Sequence, residues 1–384
     1  MGRRTSTSGK KTGSRAAATF DPSKKYSYCS LPRVSARVYS PDVNPRRARL
    51  IDIMAKKWVN GTVLHYYFFN QEGDGQEVVL PDGTTRWLKW TTTKAEKDVV
   101  RKAFDIWKNV GIGLTFKEVG SRDEAEVRIG FMRDYRTWSY VGRDIHNIER
   151  DERTMNFGWD LTRHPSEIDT AVHEIGHTLG FPHEHQNPKA GIVWDEEAVY
   201  ASCARPPNNW DRDTTYHNII RKINPDTVQG TNWDPDSIMH YPFEPGLIKE
   251  PEKYSNGLTP EQGLSERDKT WARTIYPPLT DADYAKLELL QSVTLDIAPG
   301  EQKNFRIQPS VTRYYDISTF GTSDTVMVLF EDQDGELRYL TADDDSGENY
   351  NASIRIKLFK DHKYVLRIRL YYKTRSGETA VMMW

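Results

Sequence analysis

Three histidines fall within eleven residues, His173-Glu174-Ile175-Gly176-His177-Thr178-Leu179-Gly180-Phe181-Pro182-His183, and no other stretch restricts the fold as closely. On a helix at ~100° per residue, His173 and His177 lie about 40° apart, on the side away from an apolar stripe of Ile168, Val172, Ile175 and Leu179. The spacing therefore predicts a helix whose back enters a core while two imidazoles face a cleft. Gly180 lets the chain leave the helix sharply and return His183 to the same centre. Three nitrogen ligands at ~2.0–2.1 Å, with a fourth position open to water, suit one catalytic Zn2+ rather than a structural one. Glu174, about 60° round the axis from His177 and about 100° from His173, is badly aimed for a ligand and well placed as a general base. A zinc-bound water whose pKa is lowered toward ~7 would give its proton to Glu174, attack a polarised carbonyl, and have the proton returned to the leaving amine. The chemistry expected is hydrolysis of peptide bonds in protein or peptide substrates.

The flanking patterns supply a frame for that helix. Val63 to Phe69 is β-branched and aromatic, as a strand requires, and Asp82-Gly83 marks a hairpin turn. Thr93 with Glu96 reads as a capping box opening a helix whose stripe is Val99, Val100, Ala103, Phe104, Trp107 and Val110, ending near Asn109. Ala125/Val127/Ile129/Phe131 alternate as a half-buried strand, and Thr154 to Trp159 fits another. Ser166 and Asp169 are placed to cap the histidine helix, and Leu264 to Ile275 reads as a last capped helix. Beyond Tyr276-Pro277-Pro278 the period changes to two, as in Ile354/Ile356/Leu358 and Tyr364/Leu366/Ile368/Leu370, which predicts about eight strands in a separate sandwich. The expected organisation is a basic leader over 1–45, a catalytic domain over 46–279 and a β-sandwich over 285–384. In fold class this is α+β, a twisted mixed sheet with a zinc-binding helix followed by an all-β domain.

Charge and cysteine usage narrow the function classes. The chain is nearly neutral at −2, yet its first fifty residues hold twelve Lys and Arg against two Asp, so the leader is basic and the body acidic. The leader lacks interleaved aromatics before Phe20, which favours a solvated tail and no nucleic-acid partner. No apolar run approaches the ~18 residues of a transmembrane segment, and Met1 to Phe20 lacks the apolar stretch of an export signal. Two cysteines, Cys29 and Cys203, allow at most one bridge, which excludes a disulfide-stapled scaffold. Asp343, Asp344 and Asp345 could supply oxygens to calcium, although an acidic turn is the plainer reading and calcium stands unsupported. His185 is expected on the surface or behind the ligands, and His240 is expected to be structural.

The three-histidine stretch resembles the metzincin signature, and the chain from about Lys57 to Pro278 resembles the astacin family within that clan. Gly180-Phe181-Pro182-His183-Glu184 is similar to the family's Gly-Phe-x-His-Glu, and Ser237-Ile238-Met239-His240-Tyr241 resembles its Met-turn. The resemblance implies a metzincin-like catalytic domain in which Met239 floors the zinc site, with Gly180 and Glu184 structural beside it. Tyr241 is implied as a displaceable ligand or a hydrogen-bond donor to the oxyanion. It also implies that the strand near Ala125 to Phe131 borders the cleft and adds a substrate as an antiparallel strand. Residues 285–384, through Gly321-Thr322-Ser323-Asp324-Thr325 and Asp343-Asp344-Asp345-Ser346-Gly347, resemble the bacterial pre-peptidase C-terminal domain. That likeness suggests surface or matrix contact. Secretion is expected by resemblance, with a cytoplasmic location as the alternative. Three family features are missing: two cysteines cannot form the usual two disulfides, Gln186-Asn187-Pro188-Lys189 stands in place of the family's Arg-x-Asp-Arg-Asp after the third histidine, and no Phe-x-Gly-Asp segment precedes Asn60 to block the zinc. A Cys29 thiolate capping the metal is a different route to latency. The alternative function is a surface- or matrix-binding protein with a vestigial metal site.

Overall fold

The computed structural model describes residues 27–34, 56–58, 60–79, 83–133, 136–223, 232–278, 284–333, 335–372 and 374–384. The leader expected over 1–45 lies outside the described residues except for 27–34.

The first half builds, in chain order, β1 (Val63–Phe68), a hairpin of β2 (Gly75–Val79) and β3 (Thr85–Lys89), helix α1 (Lys94–Asn109), β4 (Thr115–Glu118), β5 (Val127–Gly130), β6 (Trp138–Ser139), β7 (Met155–Asn156) and helix α2 (Glu167–Thr178). The sheet order is β4-β1-β5-β7-β6, parallel throughout except for β6, which runs antiparallel to β7. The expectation that the strand near Ala125 to Phe131 borders the cleft is therefore corrected. β5 is central, and the free edge is β6, a two-residue strand too short to show a period.

Both helices lie against this sheet. The Thr93 hydroxyl accepts from the Glu96 amide at the start of α1, but the Glu96 carboxylate accepts from Arg133 and the Leu161 amide, so only half of the expected box forms. Trp107, fully buried, donates its indole N–H to the Val172 carbonyl at 2.8 Å and so ties α1 to α2 through the shared core. The expected cap of α2 does not form. The Ser166 backbone is already helical, its hydroxyl pairs with His164 at 2.7 Å, and Asp169 accepts from the Gly263 amide instead.

Between α2 and the second half lie β8 (Val193–Trp194), α3 (Glu196–Cys203), β9 (Ile248–Glu250) and α4 (Glu266–Ile275). Around them a separate apolar cluster gathers Trp194, Cys203, Trp210, Ile220, Phe243 and Tyr241, and it includes Tyr28 and Cys29 from the leader. Ser265 and Asp268 close a capping box at α4. Asp268 also accepts from the Ser237 hydroxyl at 2.6 Å and the Ile238 amide at 2.8 Å, which fixes the turn carrying Met239.

The second half contains β10 (Ala285–Lys286), β11 (Val293–Ile297), β12 (Gln302–Ile307), β13 (Arg313–Phe320), β14 (Thr325–Gln333), β15 (Glu336–Asp343), β16 (Ser353–Leu358), β17 (Lys363–Leu370) and β18 (Gly377–Met383). They form two sheets, β10-β12-β17-β14-β15 and β11-β18-β13-β16, over a core that includes Ile297, Ile317, Leu329, Ile354, Leu366 and Val381. Among the described residues nine strands stand where about eight were expected. Glu336 at the head of β15 accepts from Lys117 of β4 and from His65 Nε2 of β1 at 2.7 Å, joining the two halves. No helix among the described residues is long and apolar enough to cross a membrane.

Candidate metal centre

α2 presents His173 and His177 on the side away from Val172 and Ile175, and the chain then turns at Gly180, whose φ of 91° lies where a side chain is strained. The turn brings His183 back. His177 Nε2 lies 3.1 Å from both His173 Nε2 and His183 Nε2. The second nitrogens fix the tautomers. His173 Nδ1 donates to the Ile238 carbonyl and His177 Nδ1 to the Phe181 carbonyl, each at 2.7 Å, which leaves lone pairs on the converging Nε2 atoms. Burial pushes His173 down to about 4 and holds His177 and His183 well below the usual histidine range. Three neutral, buried nitrogens turned toward one point have too few protons to satisfy one another, and a cation resolves that. Tetrahedral ligands at ~2.0–2.1 Å stand roughly 3.3 Å apart, close to the spacing seen, so the donor set fits zinc.

The ligand-forming atoms of the three histidines and Cys29 Sγ all lie within 4.8 Å of one another. The leader thus brings a soft donor to the fourth side of the site. Glu174 is not in that cluster. Its Oε2 accepts from the Cys29 thiol at 3.5 Å, and burial pushes its carboxyl up to about 8. Burial, and then the neighbouring Glu174, push the Cys29 thiol up in the absence of metal, whereas a bound cation would favour the thiolate. Cys203 is likewise buried and free, so the two cysteines do not pair.

The other residues singled out in the sequence surround this cluster. The Tyr241 hydroxyl donates to the Cys29 carbonyl at 2.5 Å and stands 2.7 Å from His183 Nε2. Burial raises it well above the usual tyrosine range, so it remains a donor. Met239 lies under α2, where a Cβ on Gly176 would collide with its sulfur. Glu184 accepts from Asn187 and from the Asp234 amide, each at 3.0 Å, while its own amide donates to the Met239 carbonyl, which ties the third-histidine loop to the Met239 turn. His185 is buried, not on the surface, stacked beside His183 with Nε2 donating to the Asn218 carbonyl. His240 donates from Nδ1 to the Tyr241 carbonyl.

The sequence reading missed what holds the leader. Ser30 N donates to the Thr137 carbonyl beside β6, Tyr28 N to Asn208 Oδ1 and Leu31 N to Asn218 Oδ1. Lone asparagines far apart in sequence carry no spacing signal.

Residues 84–247 match the family model Astacin, a family of peptidases. The chain carries an astacin-family peptidase domain. Bone morphogenetic protein 1 of Xenopus laevis is 27% identical over 216 residues, which cover 52% of this chain and 27% of that protein. The chain thus spans about a quarter of that curated relative. A structure of myroilysin is 29% identical, with a TM-score of 0.50, and covers 59% of this chain and 98% of its own. A pre-peptidase C-terminal domain of a Bacillus anthracis collagenase is 15% identical, with a TM-score of 0.24, and covers 28% of this chain and 99% of its own. The astacin family is one of zinc metalloendopeptidases, and this astacin domain combines the α+β fold with a buried three-histidine cluster. It holds the loop after His183 in its own way, Gln186 Nε2 donating to the His217 and Arg221 carbonyls.

Proposed function

We propose that this chain is an endopeptidase that uses one zinc ion held by His173, His177 and His183, with Glu174 as the general base. One observation carries the reading: three buried neutral imidazoles converge beside a buried carboxylate that stands outside the ligand cluster. Zinc, when bound there, supplies Lewis-acid polarisation and an acidified water. Glu174 takes the proton from the attacking water and passes it to the nitrogen of the breaking C–N bond, which departs as an amine. Burial, which raises its carboxyl, favours the protonated state it passes through between the two transfers. Tyr241 donates to the substrate carbonyl oxygen as charge develops on it. The Cys29 carbonyl, which now accepts that O–H, marks where such an oxygen would lie.

The reading includes latency. With Cys29 Sγ on the fourth side of the cluster and residues 28–31 held by Asn208, Thr137 and Asn218, the leader occupies the substrate's place. Secretion, surface or matrix contact through residues 285–384, and the boundaries 46–279 and 285–384 belong to the same proposal. The test is turnover of a denatured protein substrate by the zinc-loaded chain, with loss on chelation and recovery on zinc addition. Turnover that persists after the metal is shown to be gone would remove the reading.

A further inference from the structure

We infer that the pocket holding the Tyr28 side chain is a substrate subsite for the second residue from the scissile bond and that it selects an aromatic residue; this rests on the endopeptidase reading above. Residues 27–34 show how the cleft grips a peptide. Cys29 pairs in parallel with Thr137, and the amides of Tyr28, Ser30 and Leu31 donate to Asn208 Oδ1, the Thr137 carbonyl and Asn218 Oδ1 at 2.9–3.0 Å. Those bonds reach only main-chain groups, so they would serve a peptide of any sequence, and selection falls to the side-chain pockets.

One pocket is formed in detail. The Tyr28 ring is stacked on Tyr241, with centroids 5.0 Å apart and planes 20° apart, and its centroid lies 6.0 Å from both Trp210 and Phe243. Only 4% of Tyr28 remains exposed. Its neighbour Cys29 bears both the sulfur on the histidine cluster and the carbonyl bound by Tyr241. A substrate carbonyl that takes the place of the Cys29 carbonyl puts, whichever way its chain runs along the β6 edge, the second residue from the cleaved bond on one side at this pocket. The pocket suits an aromatic side chain, because offset and tilted ring contacts add to area burial. It does not suit an acidic one. The walls are rings, against which a carboxylate would lose its hydration.

The test uses the zinc-loaded full chain carrying Cys29→Ala and a set of peptides that differ only in the second residue on either side of the cleaved bond. The remaining leader competes in cis and lowers every kcat/KM by the same factor, so ratios between peptides are unaffected. Tyr, Phe or Trp at one of these two positions should exceed Ala there by about tenfold or more, with Asp below Ala. Trp210→Ala should bring the aromatic-to-Ala ratio to within about threefold of one, and Trp210→Phe should retain most of it. Should Trp210→Ala fail to fold, the parent profile and Trp210→Phe still decide. A flat or acid-favouring profile, or an unchanged ratio in folded Trp210→Ala, overturns the aromatic subsite and leaves the endopeptidase standing. Absence of cleavage of any peptide removes the endopeptidase reading and this inference with it.

Discussion

At the scale of single residues, hydrogen bonds to the main chain aim two of the three histidines. His173 leans on the Ile238 carbonyl and His177 on that of Phe181, so no single side-chain substitution behind them removes these supports. Tyr241 differs, since its hydroxyl serves two states: it binds the leader carbonyl in the described form and would bind the oxyanion during turnover. Tyr241→Phe should lower kcat by roughly 10²–10³-fold with a smaller change in KM, because the bond strengthens only along the reaction path. Steady-state kinetics on a peptide substrate check this, and a raised KM at constant kcat would assign the hydroxyl to ground-state binding. Loss of the thiol should act in the opposite direction. Cys29→Ala should be more active than the untreated parent at equal zinc content, and equal activities would contradict latency. The histidine spacing was legible in the sequence, since it follows from helix geometry, and the same geometry leaves Glu174 outside the ligand cluster. The clamps Asn208 and Asn218 were not legible, because they act only through the fold.

Among the elements, local rules were readable wherever the local partner exists. Ser265 and Asp268 meet as their spacing predicts, whereas Ser166 and Asp169 do not, because His164 and Gly263 offer competing partners. The edge strand β6 escaped notice through brevity alone. Asp268 shows how a cap becomes a site component: it closes α4 and also receives the Ser237 hydroxyl and the Ile238 amide, whose residue supplies the carbonyl that orients His173. Asp268→Ala should therefore destabilise the fold by about 2–3 kcal/mol, combining a lost cap with unsatisfied buried donors. It should weaken zinc retention as well. Chemical denaturation alongside metal titration measures both, and an unchanged midpoint would mean that water replaces the carboxylate.

For the whole molecule, one contact between the halves runs through His65, a residue that no spacing or motif singles out. Its Nδ1 faces Glu126 at 3.2 Å and its Nε2 faces Glu336 at 2.7 Å, while Lys117 also pairs with Glu336. The hydrogen bond His65 donates to Glu126, helped by the one to Glu336, raises His65 above its ordinary 6.5 and outweighs partial burial. A raised folded value makes the stabilisation fully present below the unfolded value and lost as pH climbs through the folded one. His65→Gln should therefore lower the melting temperature more at about pH 5.5 than at about pH 9. Equal shifts at both would show that the pair contributes no protonation-linked stability.

The central claim is that a three-histidine zinc site with Glu174 as base hydrolyses peptide bonds, and one paired measurement addresses it directly: zinc content and turnover of the parent and of Glu174→Gln, side by side. The account predicts one zinc per chain in both proteins and a fall in turnover of about 10²-fold or more in the variant, since the amide fills the same space without accepting the water's proton. Normal turnover by a zinc-loaded Glu174→Gln chain, or a fully active parent without zinc, would contradict it.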